Sequence, residues 1–133
     1  MQKPLTFLIA LVLTTLPLGA AADPVQPDLD EQVHCSVIFA LIAREQDAGK
    51  SAVAHYPAMD EPGRAFFVET GLRLINERKM PVEDMRPYFM ARVNEVQEQI
   101  AASPDPAKAL DDQFNRCLPL FAAVAPEAAP KAQ

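Results

Sequence analysis

Four stretches of the chain repeat apolar residues at helical spacing, and no segment alternates with period two long enough to make a strand. The first runs from Leu29 to Asp47. Val33, Val37 and Leu41, flanked by Ile38 and Ile42, give it a wide apolar face. Phe39 and Ala40 carry that face almost all round, which predicts a helix at the centre of the fold. Asp28 or Asp30 can cap its start by accepting a backbone N–H, and Gly49 suits its end.

The connection from His55 to Arg64 is punctuated by Pro57, Pro62 and Gly63. Asp60 or Glu61 followed by Pro62 predicts a second helix from about Pro62 to Lys79. Phe66, Phe67, Gly71, Leu72, Leu74 and Ile75 are expected on its buried side. Gly71 costs ~1 kcal/mol of helix propensity. Either a second helix approaches closely there, or the glycine is merely tolerated. Asp84 reads as the cap of a third helix, which places Pro87 in a first turn that needs no N–H. Phe89, Val93, Val96 and Ile100 share one face of it, and Asn94, Glu95, Gln97 and Glu98 the other. The turn Ser103–Pro106 opens a fourth helix, with Leu110, Phe114, Cys117, Leu118 and Phe121 on one stripe and Pro119 expected to bend or end it. The predicted fold class is all-α, a small bundle of about four short helices.

The two ends read differently. Residues 1–22 have the plan of a cleaved signal peptide: Lys3, an apolar run from Leu5 to Gly19 broken by Thr14, Thr15 and Pro17, then small residues Ala20–Ala22. The uninterrupted apolar part falls short of the ~20 residues that span a bilayer. No cysteine follows the small residues, so no lipid anchor is expected there. Residues 23–28 read as a flexible leader, 29–121 as the helical domain, and 122–133 as an Ala/Pro-rich disordered tail. Cleavage would take Lys3 and move the formal charge from −6 to −7. Such acidity disfavours nucleic acid and anionic lipid as partners.

Two cysteines remain after cleavage, Cys35 and Cys117. Export leads to an oxidising compartment, where an even pair usually closes. No CxxC supports a redox thiol. A disulfide linking the first and last helices is therefore expected, enclosing 82 residues, worth ~4.5 kcal/mol by chain-entropy arithmetic.

Candidate chemistry is sparse. His34 and His55 are the only histidines; no metal set, haem motif, nucleophile context or phosphate loop is visible, so no metal and no cofactor are expected. Met59, Met80, Met85 and Met90 raise a copper site, but the spacing of five from Met80 to Met85 to Met90 turns these away from one another on a helix, so core or gap-filling methionines are expected. Adjacent carboxylates such as Asp111–Asp112 diverge on a helix and read as a solvated face. The most distinctive loop runs from Ala54 to Phe67, where His55, Tyr56 and Arg64 could line a small pocket.

The expected role is a non-enzymatic interaction or scaffold protein, exported to the periplasm in a bacterium and otherwise secreted, with an unidentified protein partner. The alternative is a small-ligand binder or enzyme using His55, Tyr56 and Arg64. The layout also resembles that of periplasmic acid-stress chaperones, a likeness of plan that no motif carries. In that variant, acid would loosen the helices and expose Phe39, Phe67, Phe89 and Phe114.

Overall fold

The structure is a computed structural model and describes residues 26–130. The signal-peptide reading of residues 1–22 lies outside these, as do residues 23–25 of the leader and 131–133 of the tail. Four helices follow in order: α1 (Leu29–Asp47), α2 (Asp60–Arg78), α3 (Val82–Ala101) and α4 (Pro106–Val124). The described residues contain no strand.

α1 is the central helix. Asp28 caps it, its carboxylate accepting the Glu31 amide at 3.0 Å. At the other end Gly49 takes the left-handed conformation (φ 70°). The Gly49 and Lys50 amides then donate to the Gln46 and Glu45 carbonyls, satisfying groups a helix end leaves open. Val33, Ile38, Phe39 and Ile42 are fully buried, and α1 packs against each of the other three helices.

Phe39 is the hub of the core. Its ring centroid lies 5.0 Å from that of Phe66 on α2, and 6.0 and 4.4 Å from those of Phe114 and Phe121 on α4. The expected disulfide is present: Cys35 on α1 and Cys117 on α4 are bonded, with Cα atoms 5.4 Å apart. Both are fully buried beside this aromatic group.

One polar network crosses the core. Gln32 is fully buried; its amide donates to Thr70 Oγ1 at 3.1 Å, and its oxygen accepts from Arg73. Arg73 also donates to the Pro27 carbonyl at 2.9 Å, which ties the last residues before α1 to α2. Every member has a partner, as burial of polar groups demands.

Three boundaries differ from the sequence reading, each for a local reason. α2 begins at Asp60, two residues early, because the Met59 amide finds a side-chain acceptor in Gln46 Oε1 at 3.0 Å. Pro62 then falls among the first positions, where the missing N–H needs no partner. α3 begins at Val82 after Pro81, not after an Asp84 cap, so Pro87 sits in the second turn. The carbonyl it leaves unbonded belongs to Glu83, which is exposed to water. α4 runs through Pro119 to Val124, because Cys117 and Phe121 are buried on either side of the proline and hold both turns in place. Two 3₁₀ turns complete the described residues: Ser51–Val53 follows α1, and Pro126–Ala128 packs on α2. No described helix is long and apolar enough to cross a membrane.

Candidate functional site

Two places on the surface bring exposed side chains together with members of the core. The first is the loop between α1 and α2. Gln46, in the last turn of α1, organises it. Its amide nitrogen lies 3.0 Å from the Pro57 carbonyl and 3.3 Å from that of Tyr56, while its oxygen accepts from Met59. This fixes Tyr56, whose ring is buried 4.7 Å from that of Phe114. The Tyr56 hydroxyl then donates to Asp111 Oδ1 on α4. His55, stacked at 4.0 Å on Tyr56, brings its Nε2 within 2.9 Å of the same oxygen.

Of the three residues expected to line a pocket, the structure thus joins His55 and Tyr56 and leaves Arg64 apart. Arg64 pairs with Asp60 at 2.9 Å and lines a separate cleft with Val68 and the Val124–Ala128 segment. Asp111 is partly exposed, as the sequence reading expects, but its Oδ1 also ties the loop to α4, which that reading does not foresee. It lies 55 residues beyond Tyr56, so only the fold reveals the pairing. The Tyr56 hydrogen bond first, then that of His55, holds Asp111 below the ordinary carboxylate range. Burial, followed by the bond to Asp111, pushes the Tyr56 phenol above its ordinary range.

The sign for Asp111 follows from linkage. A carboxylate with a lowered folded pKa stabilises the fold above its unfolded pKa, and the contribution is lost as pH falls through the folded value. Protonation of Asp111 in acid is therefore expected to weaken the fastening of the loop to α4. Asp111→Asn is expected to reproduce that weakening at neutral pH. Amide exchange across residues 51–59 should quicken several-fold while that of α1 is unchanged. Unchanged exchange in the loop would show that Gln46 alone holds it.

The second place is a cleft between α2 and α3. These helices are consecutive, yet their backbones are not among the closely packed pairs. Side chains bridge the gap. The Phe67 and Phe89 rings are 4.5 Å apart. Met85 reaches across to Gly71, where an added Cβ would come within 2.8 Å of its terminal methyl. The close approach that the sequence raised for Gly71 is thus made by one flexible side chain. Above this floor an open cleft of about 480 Å³ is lined by Phe67, Val82, Met85, Arg86, Phe89, Met90 and Val93. Its mouth is apolar: Val82 is 69% exposed, Met90 53% and Phe67 37%.

This cleft corrects the sequence reading of α2, which placed Phe67 and Leu72 on the buried side; both are exposed. The apolar residues of α2 cover a wider arc than α1 can bury. On α3 the stripe Phe89–Val96 faces the core as expected. A second stripe, Val82–Arg86–Met90–Val93, repeats at intervals of four, four and three, and that spacing could have marked it. Met85 and Met90 line one cleft although their spacing turns them apart on the helix, and no metal-ligating cluster of His, Cys, Asp or Glu occurs among the described residues.

Set against known proteins, the chain matches no family model, no curated protein and no solved structure. Its functional reading therefore rests on the chemistry of these two places.

Proposed function

We propose that the chain is a non-enzymatic binding protein, acting after export, and that the α2–α3 cleft is its working surface. The observation that carries this is the open apolar mouth of the cleft. A protein with this core has no structural use for Val82 and Met90 in water, and contiguous exposed apolar surface marks interaction sites. The volume falls in the range of ligand pockets. Met85 and Met90 suit it to occupants of varied shape, because thioether side chains repack readily. The signal-type N-terminus supports export, and the buried disulfide accords with an oxidising compartment.

N-phenylnaphthylamine, an uncharged dye that brightens in apolar surroundings, tests the reading at neutral pH. The folded protein should enhance its emission. Val82→Glu and Met90→Glu replace exposed residues with good helix formers, so helical circular dichroism should persist while the enhancement falls several-fold. Enhancement unchanged in both variants would remove the cleft from the account.

A second reading, acid-responsive chaperoning, draws support from Asp111. With Glu45 and Glu77, both held below the ordinary range by hydrogen bonds from Lys50 and Arg73, it gives contacts that acid would release. Suppression of client aggregation at pH 3 but not at pH 7 would favour it.

A further inference from the structure

Seven arginines occur in the chain, all within the described residues. Six stand 2.7–3.4 Å from a carboxylate oxygen. The seventh is Arg86, which enters no ion pair and no side-chain hydrogen bond among the described residues. It is also the one charged residue lining the α2–α3 cleft.

Its isolation has a cause in the sequence. Helical arginines find acids three or four positions away, as Arg64 does in Asp60, Arg73 in Glu77 and Arg92 in Glu95. For Arg86 the positions four before and four after are Val82 and Met90. Glu83, three before, is exposed and makes no bond to it. In a chain with 18 Asp and Glu, this guanidinium stands beside an apolar cleft without a carboxylate partner among the described residues, free to meet an anion from outside.

We infer that the cleft binds a single-chain amphiphile with a carboxylate head, the chemistry of a free fatty acid. This rests on the reading of the cleft as the working surface and names its occupant. The apolar tail lies along Phe67, Phe89, Met90 and Val93. The head meets Arg86, whose planar fork matches the two oxygens of a carboxylate. The stripe from Arg86 to Val93 extends ~10 Å along α3, room for most of an acyl chain of about ten carbons. A phospholipid surface fits less well, because the chain's net negative charge opposes an anionic bilayer.

The test compares decanoate, decanol and decyltrimethylammonium as displacers of N-phenylnaphthylamine from the full-length exported form. Decanoate should bind several-fold more tightly than decanol, and the cation least tightly. Arg86→Glu should invert the order of the two charged ligands without changing decanol, and Arg86→Lys should keep part of the preference. Equal binding of all three would overturn the carboxylate inference and leave the apolar cleft standing. Dye enhancement without displacement by any of them would also overturn it. An acidic amphipathic helical peptide that displaces the dye where decanoate does not would assign the cleft to a protein partner and refute the inference. Absence of dye enhancement altogether would refute the reading beneath it.

Discussion

Replacing Cys35 and Cys117 together by alanine is expected to cost about 2–5 kcal/mol of folding stability. The bond closes a segment of 82 residues, and most of the gain comes from restricting the unfolded chain. Domains of this size hold only ~5–15 kcal/mol in all. Two fully buried sulfur atoms are also lost from beside the Phe39 group, which adds a packing cost. The thermal midpoint should fall by about 10–20 °C, given that each kcal/mol is worth several degrees in a domain this small. Helix content below the transition should be retained, because the core itself is otherwise intact. A midpoint lowered by less than about 3 °C would show that the bond adds little to the packing around it.

Phe39→Ala is the second large effect, expected at about 3–5 kcal/mol. The side chain is fully buried and touches aromatic rings from α2 and α4 at once. The backbones cannot close over the void, because α1 is gripped on three sides and bonded to α4. Edge-to-face pairing with Phe66 and Phe114, at interplanar angles of 84° in both cases, is lost in addition to area. Phe39→Leu keeps most of the volume and should cost less than half as much. Urea unfolding of the two variants measures both quantities. Equal costs would mean that filled volume contributes little and that the loss of the aromatic ring carries the whole effect.

The two effects explain why the helical architecture was legible. α1 could be bounded at Leu29 and Asp47 because each end has local chemistry of its own, Asp28 and Gly49. Its all-round apolar surface announced a central helix, and two cysteines in a chain with an export-type start announced a staple between the first and last helices. Local signals were weaker where a long-range partner decides. Gln46 moves the start of α2, but it acts from 13 residues away through the Met59 amide. Pro119 looks like a helix end until Cys117 and Phe121 are known to be pinned on both sides.

The candidate sites were legible in part. His55 and Tyr56 stood out as a loop pair, while Asp111 resembled any surface acid until α4 was folded against the loop. Arg64 shares their loop in sequence and leaves it in space, because α2 turns it toward Asp60. Periodicity shows which residues share a face. It does not show whether a neighbour covers that face, which is why Phe67 and Leu72 read as core. The splay of α2 from α3 is a property of the whole bundle, and it alone turns Phe67, Met85 and Met90 into the walls of a cleft.

Methionine methyl resonances give the most direct measurement of whether that cleft binds apolar ligands. Met59 is fully buried in the core, whereas Met85 and Met90 line the cleft. With the methyl groups labelled, titration with decanol at neutral pH should shift the Met85 and Met90 signals in a saturable way and leave Met59 where it is. Shifts that appear first at Met59, or at no methionine, would contradict the account.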